Sequence, residues 1–128
     1  MENQALVKEI CPTKTQLFIK NGALLVDVRE SEEVAQLAYN VPNIVNIPLT
    51  EFEERFAEIP RDREVVVVCK SGVRSLMATS FLLNNGYDKV VNMKHGIIRW
   101  VQKGFPTIGD ESFVLVDENT HSCSCSGC

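Results

Sequence analysis

The sequence predicts one α/β domain built on an open, mainly parallel sheet with helices on both faces. Short runs of β-branched and apolar residues alternate with helical patterns as far as residue 103, an alternation typical of βαβ units. The runs are apolar at nearly every position, as in strands buried on both faces. The chain has 128 residues, enough for one domain with a sizeable core but not for two of ordinary size.

Four strands and five helices are predicted in order along the chain. The strands are residues 24–28, 44–47, 65–68 and 90–91, and the helices are residues 13–20, 31–37, 50–56, 73–84 and 95–103. The first helix ends at Asn21-Gly22, and the third begins with Thr50 and Glu53 in capping-box spacing. From Thr107 onward the pattern fades. We therefore expect a domain at 1–109 and a C-terminal extension at 110–128 that is flexible toward its end.

The helix at 73–84 has a distinct apolar pattern. Val73, Leu76, Met77 and Phe81 fall on one stripe with Ala78 and Leu82 beside it, and Gly86 lies just beyond the end of the helix. An apolar stripe at this spacing is typical of a face packed on a core. We expect these four side chains to be buried.

Composition and charge exclude several classes of protein. The net charge is −4, which argues against a broad nucleic-acid-binding face. The first twenty residues are interrupted by charges, and no apolar run has transmembrane length. The five cysteines are an odd number, which favours reduced thiols over a disulfide scaffold. We expect a cytoplasmic protein without nucleic-acid or membrane partners.

Cys69 lies where such a fold places its chemistry. It follows the strand at 65–68, and a short polar loop leads from it into the helix at 73–84. In open α/β sheets, ligands bind beyond the carboxyl ends of the strands. A helix N-terminus favours an anion, and with Lys70 and Arg74 nearby it also favours the thiolate, the nucleophilic form of cysteine. The alternative is that Cys69 is a small buried apolar residue.

In this context the sequence resembles the rhodanese family, whose active loop has a cysteine followed by a basic residue, a glycine and an arginine. The matching loop is Cys69-Lys70-Ser71-Gly72-Val73-Arg74. Residues 25–30, 44–49, and 96–100 with 104–106 are also similar to family motifs. The sequence differs from the family pattern in two places. Lys70 stands where arginine is frequent, and residues 39–43 replace a Gly-His-Ile-Pro-Gly stretch. Lysine lacks the bidentate geometry of arginine, so donor preference is expected to differ.

The resemblance implies a sulfurtransferase that needs no cofactor. Cys69 would take a sulfane sulfur from a donor such as thiosulfate and pass it, from a persulfide, to a thiol or cyanide-type acceptor. The loop from Lys70 to Arg74 would hold the anion and the persulfide. Lys70 would draw in the donor and Arg74 would brace the far end of the loop. Asp27 and Arg29 would support the site, or else form a partly solvated ion pair with a structural role.

Two other functions remain as alternatives. The protein could carry persulfide for a protein partner without rapid turnover of free thiosulfate. A phosphatase or arsenate reductase is less favoured, because those enzymes resemble Cys-x5-Arg and the loop here is Cys-x4-Arg.

Two further features of the chain contain histidine or cysteine. His95, at a predicted helix start, is interpreted as a cap or surface residue. The tail carries His121, Cys123, Cys125 and Cys128, a tract that could bind a soft metal, accept sulfur from Cys69, or be inert. No metal site is predicted in the body of the chain.

Overall fold

The computed structural model describes residues 7–112 and contains the predicted parallel sheet. Its five strands, in spatial order, are β1 (Glu9–Ile10), β6 (Val90–Met93), β5 (Val65–Val68), β2 (Leu24–Asp27) and β4 (Ile44–Asn46). Every neighbouring pair is parallel. The predicted α/β fold class is confirmed. The short edge strand β1 carries too little apolar pattern to be detected in the sequence.

Five helices connect the strands. They are α1 (Pro12–Lys20), α2 (Ser31–Gln36), α3 (Phe52–Arg55), α4 (Val73–Leu83) and α5 (Gly96–Gln102), and 3₁₀ turns at Leu49–Glu51 and Phe56–Glu58 flank α3. The predicted helix at 50–56 is therefore divided into three short pieces. Among residues 7–112, none of the helices has the length and apolar character needed to cross a bilayer.

Strand β5 is the centre of the fold and contacts a separate core on each face. Val65 and Val67 face a core that includes Ala78 and Leu82 of α4. Val66 and Val68 face a second core that includes Ile97 and Trp100 of α5. This alternation follows from the two-residue period of a strand. The four consecutive valines are buried because the sheet is covered on both sides.

A second, two-stranded sheet lies outside the sequence prediction. In it, β3 (Leu37–Tyr39) pairs antiparallel with β7 (Thr107–Gly109). Trp100 Nε1 also donates a 2.8 Å hydrogen bond to the Pro106 carbonyl. The chain after α5 is thereby held against β3, and the side chain of Tyr39 is buried. Pairing between segments this far apart in sequence leaves no local signal.

The prediction that Val73, Leu76 and Met77 are buried is wrong. Their exposed fractions are 62%, 37% and 56%. The buried face of α4 includes Ala78 and Leu82, which were predicted beside the stripe, together with the small polar residues Ser75 and Thr79. Small side chains allow the helix to lie close to the sheet, and this packing decides its rotation more than the apolar stripe does.

Candidate active site

Cys69 directly follows β5, and its side chain is held within the loop that leads into α4. The residue is fully buried. Its Sγ accepts hydrogen bonds from the backbone N–H groups of Gly72, at 3.1 Å, and Ser75, at 3.4 Å. These donors belong to the start of an eleven-residue helix, where N–H groups lack partners within the helix. The arrangement favours negative charge on or next to the sulfur.

The loop has its shape because two glycines permit close approach. Gly72 has φ of 100°, and a Cβ added there would lie 2.9 Å from the backbone nitrogen of His95. Gly96 has φ of 60°, and a Cβ there would collide with the carbonyl group of Lys70. The N–H of Ile97 donates to the Cys69 carbonyl at 3.0 Å. The turn from β6 into α5 therefore packs directly against the cysteine loop, with no room for side chains between them.

Asp27, the last residue of β2, forms a buried ion pair with Arg29. Their side chains are 1% and 3% exposed, and the shortest contact is 2.8 Å. The Asp27 carboxylate also accepts from two further donors, the Arg29 backbone N–H and Arg29 Nε, which donates to both carboxylate oxygens. Burial opposes the charged guanidinium, but the hydrogen bond and charge of Asp27 outweigh it and raise the pKa of Arg29. The pair is buried, so the alternative of a partly solvated pair is wrong.

Tyr39 connects this pair to the cysteine. The guanidinium carbon of Arg29 lies 5.5 Å from the centroid of the Tyr39 ring, and the Tyr39 hydroxyl donates to the Cys69 carbonyl at 2.8 Å. Burial, and then the charge of Asp27, raise the pKa of Tyr39 well above its ordinary value. The phenol therefore stays protonated and keeps its role as a donor. No pattern around residue 39 indicates this contact from the sequence.

Arg74 has a different kind of partner from Arg29. Its guanidinium forms a bidentate pair with Glu33 of α2, with distances of 2.7 and 3.0 Å, and both side chains are 31% exposed. Glu33 is itself positioned by a capping box, because its carboxylate also accepts the Glu30 backbone N–H at 2.9 Å. Arg74 thus ties the first turn of α4 to α2, and its guanidinium contacts Glu33 rather than the sulfur.

Asn92 supports the other side of the loop. It is fully buried in β6, and its Nδ2 donates to the Gly72 carbonyl at 3.3 Å and to Glu9 at 2.8 Å. Within residues 7–112, the Oδ1 of Asn92 and the Oγ of Ser75 are buried side-chain atoms without a hydrogen-bond partner. Buried side-chain polar atoms without a partner are exceptions in folded proteins, and these two belong to residues whose backbone or side chain contacts the cysteine loop.

The predicted residues of the cysteine loop differ in their exposure to solvent. The side chains of Lys70, Ser71 and Val73 are exposed at the loop surface, while Gly72 is buried beneath it. Ser75 donates its backbone N–H to Sγ but lies one residue beyond the predicted loop. Its position directly after Arg74 is the one sign of this role in the sequence.

The tail candidates His121, Cys123, Cys125 and Cys128 lie outside the described residues. Among residues 7–112, no cluster of three or more His, Cys, Asp or Glu side chains is arranged to hold a metal ion.

Comparison with known proteins agrees with this geometry. Residues 13–103 match the family model described as Rhodanese-like domain. A sulfurtransferase from Allochromatium vinosum is 41% identical over 88 residues, which cover 69% of this chain and 80% of that protein. Thiosulfate sulfurtransferase 18 from Arabidopsis thaliana is 32% identical over 112 residues, which cover 77% and 82% of the two chains.

A solved structure gives the same result. The crystal structure of a rhodanese-related protein from Thermoplasma volcanium has a TM-score of 0.72 and 30% sequence identity, over 80% of this chain and 99% of that chain. The family match covers well over half of the 128 residues. The chain therefore belongs to the rhodanese-like domain family, and its sulfurtransferase relatives support sulfur transfer as its general chemistry.

Proposed function

We propose that the protein is a thiosulfate sulfurtransferase-type enzyme that carries a sulfane sulfur as a persulfide on Cys69. The observation that carries this proposal is the position of Sγ, which accepts two backbone N–H groups at the start of α4. Such donors favour a thiolate before the reaction and an anionic persulfide after it. Thiosulfate as donor is supported by the relative named thiosulfate sulfurtransferase.

The reaction has two balanced steps. The Cys69 thiolate attacks the sulfane sulfur of thiosulfate, the S–S bond of the donor breaks, and sulfite leaves with the electron pair. A thiolate or cyanide-type acceptor then attacks the outer sulfur of the persulfide, and Cys69 leaves as the thiolate. No external oxidant or reductant is required, because the sulfane sulfur keeps its oxidation state throughout.

The surrounding residues have separate roles in this proposal. The exposed Lys70 side chain attracts the anionic donor to the loop. Asp27 and Arg29 act as positioning residues, because through Tyr39 they hold the Cys69 carbonyl. Arg74 fixes the first turn of α4 through Glu33, and this keeps the Ser75 N–H directed at the sulfur.

Intact-protein mass spectrometry after thiosulfate treatment tests the proposal. We expect wild type to gain one sulfur, about 32 Da, that is released by a thiol or by cyanide. Cys69→Ala should remain folded and gain none. A variant lacking residues 120–128 is the control for the tail cysteines and should load like wild type. Loading that survives in Cys69→Ala, or that is lost with the tail, would contradict the assignment.

A second candidate function is delivery of persulfide to a protein partner. The observation that favours it is the exposure of Val73, Leu76 and Met77 on α4, immediately beside the cysteine loop. Exposed apolar side chains grouped at a reactive site are typical of a contact surface. Thiosulfate turnover that is slow while sulfur exchange with a persulfide-bearing protein is fast would favour this candidate over the enzyme.

A further inference from the structure

A small cleft opens on the α5 side of the cysteine loop, opposite the exposed apolar residues of α4. Its volume is about 190 Å³, and it is lined by Ser71, His95, Ile98, Arg99 and Gln102. Ser71 belongs to the cysteine loop, while the other four residues lie on α5 or at its ends. The loop and α5 are in direct contact, since the Ile98 N–H donates to the Lys70 carbonyl at 3.3 Å. The cleft is therefore fixed in position relative to Cys69.

Positive charge is concentrated around this cleft. Arg99 lines the cleft, and Lys70 and Lys94 directly precede its lining residues Ser71 and His95. Within residues 7–112, these three cations form no ion pair with a carboxylate. Arg99 is half-buried, and its Nε donates to Gln102, which also lines the cleft, at 3.0 Å. In a chain of net charge −4, three neighbouring cations, Lys70, Lys94 and Arg99, beside the loop that holds Cys69 suggest that an external anion binds there.

The titration of His95 supports this arrangement of charges. Burial, then the charges of Arg99 and Lys94, lower its pKa below the ordinary value. Both cations are thus close enough to act on the imidazole. Glu9 acts in the opposite direction, but its carboxylate accepts a hydrogen bond from Asn92. At neutral pH the cleft presents a neutral imidazole flanked by permanent positive charges.

We propose that this cleft is an anion subsite that binds the carboxylate of a small thiol acceptor during the second step of sulfur transfer. The proposal rests on the persulfide function of Cys69. The acceptor thiolate attacks the outer sulfur, the bond from that sulfur to Cys69 Sγ breaks, and the product leaves as an acceptor persulfide. Arg99 and Lys94 bind the carboxylate, and Ser71 lies between the carboxylate and the persulfide.

The chemistry of the two substrates assigns the cleft to the acceptor rather than to thiosulfate. The oxygens of thiosulfate are carried by the atom directly bonded to the transferred sulfur, so they stay within two bonds of that sulfur during the first step. A carboxylated thiol carries its anion several bonds away from its sulfur. Arg99 lies about one helical turn, roughly 5 Å, beyond Gly96 at the loop. This separation suits the carboxylated thiol, whose anionic group is several bonds from its sulfur.

The test measures single-turnover transfer from the persulfide-loaded full chain to two thiols of similar size, 3-mercaptopropionate and 2-mercaptoethanol, at low salt. The quantity compared between variants is the ratio of the two transfer rates, because a change that slows both thiols equally leaves this ratio unchanged. We expect Arg99→Gln to lower the ratio about fivefold by slowing transfer to the carboxylated thiol alone. Lys94→Gln should act in the same direction, and Arg99→Lys should keep most of the ratio.

Arg63→Gln is the matched control, because Arg63 hydrogen-bonds the Gly22 carbonyl away from the site, and it should leave the ratio unchanged. The thermal midpoint and circular dichroism of each variant establish that it is folded. An unchanged ratio in Arg99→Gln, or equal slowing of thiosulfate loading and of both thiols, would overturn the acceptor subsite while leaving the persulfide function intact. Wild type that takes no sulfur from thiosulfate or polysulfide would overturn both.

Discussion

Two ion pairs flank the cysteine loop, and they differ most in their contact with water. Asp27 and Arg29 are 1% and 3% exposed, whereas Glu33 and Arg74 are each 31% exposed. Both pairs have close, multiple contacts, so geometry alone does not separate them. The first lies under the loop and reaches the Cys69 carbonyl through Tyr39, while the second joins α4 to α2 at the surface.

The difference shows how burial changes the role of the same chemical pair. Charges taken out of water are costly, so removing one partner of a buried pair leaves the other with an uncompensated penalty. A half-exposed pair loses little when broken, because water replaces the missing partner. The buried pair is therefore expected to decide whether the loop region folds, and the exposed pair to adjust the position of the first turn of α4.

The largest effect is expected from breaking the buried pair. Arg29→Met leaves the Asp27 carboxylate buried without its guanidinium, and the free energy of unfolding should fall by about 3–5 kcal/mol. Chemical denaturation at pH 7 measures this loss. Arg55→Met is the control, because Arg55 pairs with Glu51 and Glu58 at the exposed surface and its loss should change stability little. Equal effects of the two substitutions would refute the distinction drawn from burial.

An intermediate effect is expected where the buried pair meets the loop. Tyr39→Phe removes the hydroxyl that donates to the Cys69 carbonyl, while the Ile97 N–H still donates to that carbonyl. The free energy of unfolding should fall by about 0.5–1.5 kcal/mol, the usual value of one hydrogen bond. If Tyr39 also positions the cysteine, the rate of sulfur loading should fall at temperatures where the variant is fully folded. Lower stability with an unchanged loading rate would limit Tyr39 to a structural role.

The smallest effect is expected at the exposed pair, and it should depend on pH. The hydrogen bond from Arg74 lowers the pKa of Glu33 below its ordinary value of 4.5, with burial acting in the opposite direction. A carboxyl group with a lowered pKa in the folded protein stabilises fully above its unfolded value, and the contribution disappears as pH falls through the folded value. Glu33→Gln should therefore cost about 0.2–1 kcal/mol at pH 7.

The comparison of wild type and Glu33→Gln across pH checks the sign of this effect. The difference in unfolding free energy should be constant above pH 4.5 and should shrink at lower pH, where wild-type Glu33 becomes protonated. A difference that grows as pH falls would contradict the assignment of Arg74 as the stabilising partner.

Four of the five strands of the main sheet, and the position of Cys69, were predictable because their signals are local. Four consecutive valines, a cysteine, a glycine-containing loop and a helical pattern follow one another without interruption. The rotation of α4 was predicted incorrectly, since the apolar stripe of Val73, Leu76 and Met77 faces water. Small side chains on the opposite face of α4 allow the helix to pack closer to the sheet. A prediction based only on which residues are apolar does not take this close packing into account.

The sequence by itself determined the family, the order of four strands and five helices, and the cysteine that directly follows the central strand. Only the tertiary structure decided that Tyr39 reaches the Cys69 carbonyl, that Asn92 bonds the Gly72 carbonyl, and that Arg99 lines a cleft together with Ser71. Local propensity and binary pattern depend on residues a few positions apart. Contacts across 20 or 30 residues depend on how the sheet brings distant strand ends together, and the chemistry of this site is assembled from those contacts.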